Sequence, residues 1–450
     1  MITSALIQKY NTPAPRYTSY PTVPLWENNV NSEDWNELVT KSFSLYGKEE
    51  GITLYIHLPF CESLCTYCGC NKRITKNHAV EDPYIDAVLH EWNNYLKLFG
   101  EKPKLAGIHL GGGTPTFFAP ESLNMLLSNI LDSSIVLENA EFSFEGHPNN
   151  TTRDHLQVLA ELGFDRVSYG IQDFDETVQK AIHRIQPFEK VKQATEEARQ
   201  LGYSSVNFDL IYGLPYQTKM TLADTFEKVV ELAPDRIAFY SYAHVPSSFP
   251  AQKSYEAHLP SELEKRELYE FGKQKLKAAE YVEIGMDHFS KKDDPLYLAY
   301  EKGTLHRNFM GFTTTPSKIL LGLGASSISD IYLAYAQNEK SIDSYQSVIA
   351  KGDWAITKGH LMTAEDLIIR DFILDLICNH RAVISRDIWD ALGESQLDQL
   401  GEMQAEKLVD LDGNQIQVTQ DGVLFIRQIC KVFDNRLQNQ KKELVFSKAI

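Results

Sequence analysis

The chain has 450 residues, of which 43% are hydrophobic, and this predicts a globular protein of two or three domains. Its formal net charge of −17 argues against nucleic acid or an anionic membrane as a partner, because both attract a basic protein face. No run of about eighteen apolar residues occurs, and residues 1–10 lack the pattern of an export signal. These features predict a soluble, cytoplasmic protein without membrane insertion.

Residues 1–50 predict an N-terminal arm followed by one helix. The run 10–22 is rich in proline and tyrosine, and its prolines interrupt any regular helix. An amphipathic pattern then predicts a helix over 33–45 with Ser32 as its N-cap. We therefore expect an ordered arm packed by its aromatic rings.

Residues 51–245 repeat one pattern, in which a short β-rich run is followed by a helical stretch such as 83–99 or 187–201. Alternating strands and helices predict a parallel sheet with right-handed crossovers. Six units predict an α/β fold, an incomplete (β/α)6 TIM-like barrel, and a doubly wound open sheet is the alternative. The predicted strands are 53–58, 105–110, 140–145, 166–170, 205–211 and 236–242.

Four of the six cysteines lie within ten residues directly after the first predicted strand: Cys61, Cys65, Cys68 and Cys70. Such density in a chain without an export signal indicates a metal site rather than disulfides, because cytosolic thiols stay reduced. Soft thiolates select zinc or iron–sulfur clusters. A structural zinc site usually joins two separated CxxC pairs, whereas here CxxxC, CxxC and CxC overlap. The pattern favours an iron–sulfur cluster, and zinc remains the alternative.

The spacing of Cys61, Cys65 and Cys68, with Tyr67 before the third cysteine, resembles the CxxxCxxC signature of the radical S-adenosylmethionine (SAM) superfamily. This resemblance implies that the three thiolates hold a [4Fe–4S] cluster whose fourth iron binds SAM. It also implies reductive cleavage of SAM to a 5′-deoxyadenosyl radical, with the protein supplying orientation.

Cys70, in the run Cys-Gly-Cys-Asn, narrows the resemblance to the oxygen-independent coproporphyrinogen III oxidases, and the likeness extends from Pro15-Arg16-Tyr17 into the last domain. It implies oxidative decarboxylation of coproporphyrinogen III to protoporphyrinogen IX, with an electron donor for the cluster and an external electron acceptor. It gives Cys70 an auxiliary catalytic role, the alternative being a small buried hydrophobic residue. The rival functions are another radical SAM tetrapyrrole enzyme, such as a haem ring-opening methyltransferase, and a haem-trafficking chaperone.

Each predicted strand ends in glycine, polar or charged residues, at the rim where barrel enzymes place their chemistry. The run Gly111–Thr114 has no phosphate-binding fingerprint. The resemblance assigns Ala243 and Ile328 to the adenosyl pocket or to a second SAM molecule. For a lone Glu or Arg, the alternative is a solvated or structural charge. The SAM contacts that it implies are Tyr55, Tyr67, Gly112, Gly113, Thr114, Glu145, Gln172, Arg184 and Asp209.

The four propionates of coproporphyrinogen are anionic, and the chain is acidic overall, so binding them requires positively charged side chains near the substrate. We nominate Arg16, Arg73 and Arg307, with Lys72 as an alternate, because each lies in a predicted loop; ordinary surface charge is the alternative. The segments 146–150 and 313–319 depart from the family pattern, so the substrate contacts stay open.

Beyond residue 245 the repetition stops, and a helix over 262–278 and a strand over 281–289 extend the barrel region to about residue 330. Residues 331–450 predict a mainly helical, winged-helix-like domain, with Cys378 and Cys430 in its core. Its acidic charge favours a lid over DNA binding. We expect a monomer. The elements predicted there are helices over 368–379, 395–408 and 422–437 and a strand over 415–418.

Overall fold

The computed structural model describes residues 3–440 and 446–448. The chain forms two compact units, which we call the barrel unit, Val30–Tyr297 with Ser317–Lys358, and the terminal unit, Met1–Asn29 with Leu298–Pro316 and Gly359–Ile450. The boundaries predicted at residues 50 and 330 do not coincide with this division. Residues 331–358 group with the barrel unit because the strand Ala334–Asn338 continues its sheet.

Six parallel strands form the centre of that sheet, and each contains or closely matches one predicted strand. They lie side by side in chain order. A doubly wound sheet reverses its strand order at a switch point, and no reversal occurs among these six, so the partial-barrel prediction is confirmed. The six barrel strands, first to sixth, are Ile52–Leu58, Lys104–Gly112, Ile135–Gly146, Arg166–Gln172, Ser205–Tyr212 and Arg236–Ser241.

The sheet continues on both sides without closing. Leu320–Leu323 pairs in parallel with the first barrel strand, and Ile328–Asp330, Ala334–Asn338 and Ile356–Leu361 follow it. On the other side, His288–Ser290 pairs antiparallel with the sixth strand. The strand predicted over 281–289 was wrong as a single element: it is a hairpin of Val282–Gly285 and His288–Ser290. Met286 and Asp287 turn the chain with φ of 43° and 74°.

Side chains of the barrel strands alternate between two environments, as the pleat requires. On the first strand Leu54, Ile56 and Leu58 are completely buried under the helices, while Tyr55 and His57 point to the opposite face. The α-helices of six or more residues that lie wholly in this unit are Ser32–Ser42, Glu81–Phe99, Pro120–Asp132, Arg153–Glu161, Glu176–Ala181, Phe188–Gln200, Lys219–Leu232, Glu262–Ala278 and Ile342–Ile349.

One predicted cap was wrong. Ser32 is the first residue of its helix, and Asn31 caps it by accepting hydrogen bonds from the backbone N–H groups of Glu33 and Asp34. Asn and Ser cap helices about equally well, so the sequence favoured neither strongly. The α-helix ends at Ser42, and a π-helical turn covers Phe43–Gly47.

The terminal unit is mainly helical. Its strands are the hairpin His306–Asn308 with Gly311–Thr313, and a small sheet of Arg381–Val383, Val409–Asp412 and Gln415–Val418. Its helices include Ser4–Tyr10, Ala364–Asn379, Arg386–Ala391 and Glu394–Ala405, and the chain passes between the units within the helix Pro295–Lys302. None of the helices in the described part of the chain has both the length and the apolar character that a bilayer span needs.

The helix predicted over 422–437 is broken into three pieces, a 3₁₀ turn Gly422–Phe425 and the helices Ile426–Val432 and Asn435–Gln438. Asp434 interrupts it, because its side chain accepts a hydrogen bond from Leu437 N–H and begins a new helix. A helix-capping residue within the apolar repeat therefore divides the helix that the repeat predicted.

Candidate active site

The cysteine loop, residues 61–72, begins just after the carboxyl end of the first barrel strand, and its two ends pair with each other as short strands. Phe60–Cys61 pairs with Arg73–Ile74. The N–H of Arg73 donates to the Pro59 carbonyl at 2.7 Å, and that of Thr75 donates to the Cys61 carbonyl at 2.9 Å. The loop is therefore closed at its base, which holds the cysteines at the barrel rim.

Each of the three predicted ligand thiols has a different polar neighbour. Cys61 Sγ lies 3.4 Å from Thr114 Oγ1. Cys65 is buried, and its Sγ accepts a hydrogen bond from Arg184 Nη1 at 3.4 Å. Cys68 Sγ accepts one from the Cys70 backbone N–H at 3.5 Å. Residues from the second and fourth strand ends thus converge on the loop.

The loop also stabilises a thiolate. A hydrogen bond from the Cys70 thiol, together with the nearby charge of Lys72, lowers the pKa of Cys68 to about 5 despite burial, and the same hydrogen bond raises the pKa of Cys70. Burial raises the pKa of Cys61. Lys72 Nζ donates to the carbonyl oxygens of Cys68 and Cys70 at 3.1 and 3.4 Å. Its ammonium group therefore organises the loop, and this is a structural role that the alternate substrate assignment did not foresee.

The donor set fits an iron–sulfur cluster. All six cysteines are free thiols. Among residues 3–440 and 446–448, no three His, Cys, Asp or Glu side chains surround a point where one metal ion would bind. A [4Fe–4S] cluster attaches each thiolate to a separate iron, and Cys61, Cys65 and Cys68 supply three thiols from one loop. The guanidinium of Arg184 and the ammonium of Lys72 complement its thiolate charge.

The glycines at the end of the second barrel strand allow it to pack directly against the end of the first strand, where the cysteine loop begins. A Cβ on Gly112, whose φ is 111°, would lie 2.6 Å from the His57 ring, and one on Gly113 would lie 2.7 Å from the Phe60 carbonyl oxygen. The N–H of Gly113 donates to the Leu58 carbonyl at 2.9 Å. Side chains are excluded at both positions because they would push the second strand end away from residues 57–60 at the end of the first strand.

Polar side chains of the first three strands meet on the inner face. Tyr55 stacks on His109 with ring centroids 6.0 Å apart, and its hydroxyl lies 3.1 Å from His57 Nδ1. His109 Nε2 lies 3.7 Å from Glu145 Oε1, and the Gly112 N–H donates to Glu145 Oε2 at 3.3 Å. Burial alone would raise the pKa of Glu145, but the hydrogen bond and charge of His109 and the Gly112 amide hold it below its usual value. The carboxylate side chain keeps 46% of its surface accessible, so it can accept further hydrogen bonds.

Arg184, in the loop after the helix Glu176–Ala181, and Asp209, on the fifth strand, add charged groups to the rim. Arg184 donates from Nε and Nη2 to the Gly170 carbonyl at 3.0 and 2.6 Å. Asp209 accepts hydrogen bonds from Ser168 Oγ at 3.1 Å and Asn207 Nδ2 at 2.9 Å. Burial, and then the charge of Glu145, raise the pKa of Asp209 to about 6. The rim thus presents two acidic groups and one fixed guanidinium beside the cysteine loop.

The comparisons with known proteins agree with this geometry. Residues 55–229 match the Radical SAM superfamily. The oxygen-independent coproporphyrinogen III oxidase of Synechocystis sp. is 38% identical over 457 residues, which cover 99% of this chain and 97% of the relative. That of Escherichia coli is 39% identical over 454 residues, which cover 99% and 98%. The chain belongs to the oxygen-independent coproporphyrinogen III oxidase family.

A solved structure supports the same assignment. The Escherichia coli coproporphyrinogen III oxidase, described as a radical SAM enzyme, superposes with a TM-score of 0.88 and 37% identity, over 96% of this chain and 99% of that one. The family prediction made from the cysteine loop is therefore confirmed, as are the radical SAM fold and, as cofactors of that superfamily, a [4Fe–4S] cluster and SAM.

The remaining predicted SAM contacts of this chain lie on the same rim. Gln172 is buried with φ of 65°, where the fourth strand ends. Ala243 follows the sixth strand and is exposed. Ile328 begins a strand after the turn at Ser326, whose Oγ lies 3.5 Å from His57 Nε2. Tyr67 packs against a cluster that contains Tyr242 and Tyr255.

The arginines nominated for the substrate do not lie where the sequence suggested. Arg73 is on a short strand, and its Nη2 donates to Asp343 Oδ2 at 2.7 Å. Arg307 is on the strand His306–Asn308 of the terminal unit, is 5% exposed, and lies 4.7 Å above the Phe312 ring. The prediction that both lie in loops was wrong, because each pairs with a neighbouring segment too short to be recognised. Arg16, in the arm, lies outside any helix or strand.

The sequence analysis did not predict several residues whose side chains form hydrogen bonds within this site. They are His57, His109, Ser168, Asn207 and Gln252. Four of them are polar residues at alternate positions of otherwise apolar strands. That period of two was a usable signal for the inner face of the barrel.

Proposed function

We propose that this chain catalyses the SAM-dependent oxidative decarboxylation of coproporphyrinogen III to protoporphyrinogen IX, a step of porphyrin biosynthesis. One observation carries the proposal: the similarity to the named oxidases spans 99% of the chain, far beyond residues 55–229, which match the superfamily in general. Similarity confined to those residues would support radical SAM chemistry without a substrate.

The cofactor roles follow from the chemistry of the rim. When bound, the cluster and SAM supply a 5′-deoxyadenosyl radical by reductive cleavage. Cys61, Cys65 and Cys68 hold the cluster. The accessible carboxylate of Glu145 and the carboxylate of Asp209 accept hydrogen bonds from amino or hydroxyl groups. Tyr55, Tyr67, Gly112, Gly113, Thr114, Gln172 and Arg184 complete the SAM site, with Ala243 and Ile328 at the adenosyl group or at a second SAM molecule.

Arg184 suits the carboxylate of SAM. Its hydrogen bonds to Gly170 and Cys65 use Nε–H and one hydrogen on each terminal nitrogen. A guanidinium has five N–H groups, so one hydrogen on each terminal nitrogen is left for a carboxylate. Two parallel hydrogen bonds of this kind fix both position and orientation.

The reaction needs partners outside the chain. Conversion of a propionate to a vinyl group releases CO₂ and removes one hydrogen atom and one electron. The hydrogen atom goes to the 5′-deoxyadenosyl radical, and the electron goes to an external acceptor. A separate electron donor reduces the cluster. Arg16 and Arg73 remain proposals for the substrate's carboxylates, whereas Arg307, which is 5% exposed and lies over the Phe312 ring, suits a structural role instead. Cytoplasmic location and a monomeric state also stay predictions.

The test is anaerobic reconstitution with iron and sulfide, followed by incubation with SAM, a reductant, coproporphyrinogen III and an electron acceptor. We expect mass spectrometry to find loss of two carboxyl groups with formation of two vinyl groups, and the Cys65→Ser protein to yield no product. A methylated, ring-opened tetrapyrrole would instead identify a methyltransferase. Stoichiometric haem binding without decarboxylation would identify a chaperone.

A further inference from the structure

Gln252 joins two parts of the rim that no strand pairing connects. It lies in the 3₁₀ helix Pro250–His258 and is 1% exposed. Its Nε2 donates to the carbonyl oxygen of Tyr67 at 3.3 Å and to that of Ala243 at 3.2 Å. Its Oε1 accepts a hydrogen bond from the Val245 N–H at 2.6 Å.

The partners use the whole amide. A glutamine side chain has two N–H donors and one carbonyl oxygen, and here two carbonyls and one N–H face it in matching positions. A reversed amide would point its oxygen at both carbonyls. Since both amide hydrogens are used within the protein, Gln252 acts through Tyr67 and Ala243 and not by contacting a ligand.

The bridge matters because the barrel is incomplete. Tyr67 belongs to the cysteine loop after the first strand, and Ala243 follows the sixth strand, with four strands between those two in the sheet. A closed barrel would fix its first and last strands by backbone hydrogen bonds. Here the packing of Tyr67 against Tyr242 and Tyr255 is apolar and non-directional, so the hydrogen bonds of Gln252 supply direction.

We propose that Gln252 is a positioning residue that sets the separation between Tyr67 and Ala243 and thereby the width of the adenosyl pocket. This inference rests on the proposed function, in which both residues contact SAM. Loss of the amide leaves the carbonyls of Tyr67 and Ala243 without their donor and lets the sixth strand end shift relative to the cysteine loop.

The experiment compares Gln252→Met with Gln217→Met as a matched control. Gln217 is also buried and also makes three hydrogen bonds through its amide: Nε2 donates to the Asp173 carboxylate oxygen Oδ2 and to the Ile211 carbonyl, and Oε1 accepts from Leu214 N–H. Gln252→Glu is the second variant, because it keeps the size and the acceptor for Val245 but loses both donors. The probe is SAM itself, measured by equilibrium binding to the anaerobic cluster-loaded proteins.

For Gln252→Met and Gln252→Glu we expect the dissociation constant of SAM to rise about tenfold, with more 5′-deoxyadenosine formed per product and an unchanged KM for coproporphyrinogen III. Gln217→Met should lower the thermal unfolding temperature but keep SAM affinity within about twofold. Wild-type affinity in both Gln252 variants, or an equal loss in Gln217→Met, would overturn the inference alone. A wild-type protein that binds no SAM would overturn the proposed function and this inference with it.

Discussion

Arg184 and Cys65 are joined by a hydrogen bond of 3.4 Å between Nη1 and Sγ, which ties the cysteine loop to the fourth strand end. The other side of the guanidinium binds the Gly170 carbonyl, which also accepts a hydrogen bond from Gln186 Nε2 at 3.1 Å. A Cβ on Gly170 would lie 2.9 Å from Arg184 Nη2. The guanidinium is therefore held in one orientation before any ligand arrives, which reduces the ordering cost of binding.

Replacing Arg184 by lysine should separate cluster binding from SAM binding. Lysine keeps the positive charge but cannot donate hydrogen bonds to Gly170, Cys65 and a carboxylate at the same time, because it lacks the planar, forked set of N–H donors. We expect Arg184→Lys to retain about four irons per chain and to raise the KM for SAM at least about tenfold. Arg153→Lys, on a helix surface, is the control. Loss of iron, or a normal KM for SAM, would contradict this role.

The cysteines should differ in what their loss does. Serine at Cys61, Cys65 or Cys68 removes one of three cluster thiolates, and we expect each variant to lose the brown colour and the bound iron. Cys70→Ser should keep about four irons per chain and show impaired turnover, because three thiolates suffice for the cluster and Cys70 lies beside it. Iron analysis after anaerobic reconstitution checks both outcomes, and loss of iron in Cys70→Ser would show that Cys70 is a ligand.

The sequence predicted the features that depend on local pattern. The strand 236–242 was found because its apolar run is bounded by charged and polar residues, and the observed Arg236–Ser241 differs by one residue. The cysteine spacing and the run Gly111–Thr114 are contiguous, so both could be recognised without knowing any long-range pairing. The helix Glu262–Ala278 matched its predicted bounds because Ser261 forms a capping box with Glu264.

The contacts inside the site could not be predicted, because they depend on strand register. His109 meets Glu145 only because Leu110 lies opposite Phe144 in the parallel pair. If either strand shifted by one residue, its own side chain would turn to the helix-covered face and the contact would be lost. Gln252 could not be found at all from its neighbours, since its two carbonyl partners are 185 and 9 residues away in the chain.

Glu91 gives the barrel unit a pH-dependent stability. It is completely buried, and its carboxylate accepts hydrogen bonds from Tyr345 Oη and Asn338 Nδ2 at 2.6 Å and from Gly324 N–H at 2.9 Å. Burial raises the pKa of Glu91 from 4.5 to about 7 despite these donors. Between those two values the folded state binds more protons than the unfolded state, so the stability contributed by Glu91 falls as pH rises.

Glu91→Gln should remove this dependence. We expect the fall in free energy of unfolding between pH 5 and pH 8 to shrink by up to about 3 kcal/mol, since each pKa unit corresponds to about 1.4 kcal/mol. Thermal or urea unfolding at several pH values measures the difference, with Glu121→Gln as the exposed control. The variant is also expected to be less stable at every pH, because an amide cannot accept all three hydrogen bonds. An unchanged pH slope would refute the assignment.

Binding of an anionic tetrapyrrole by a chain of net charge −17 requires local cations that oppose the overall field. Arg73 can supply one, because it and its partner Asp343 are 39% and 75% exposed, and an ion pair this exposed contributes little to stability. Its guanidinium can therefore exchange Asp343 for a substrate carboxylate at little cost. Arg307, buried over Phe312, should instead contribute to the stability of the terminal unit.

We expect Arg16→Ala and Arg73→Ala each to raise the KM for coproporphyrinogen III about tenfold, as loss of a charged hydrogen bond predicts, while substrate-free SAM cleavage stays near the wild-type rate. Arg307→Ala should lower the thermal unfolding temperature. Arg386→Ala, at a side chain that is 91% exposed, is the matched control.

If both KM values are unchanged, the substrate site must use the segments 146–150 and 313–319, which depart from the family pattern. There, burial and the charge of Arg184 lower the pKa of His147 to about 2, so His147 offers a neutral imidazole, and Lys318 lies 4.5 Å above the Tyr46 ring.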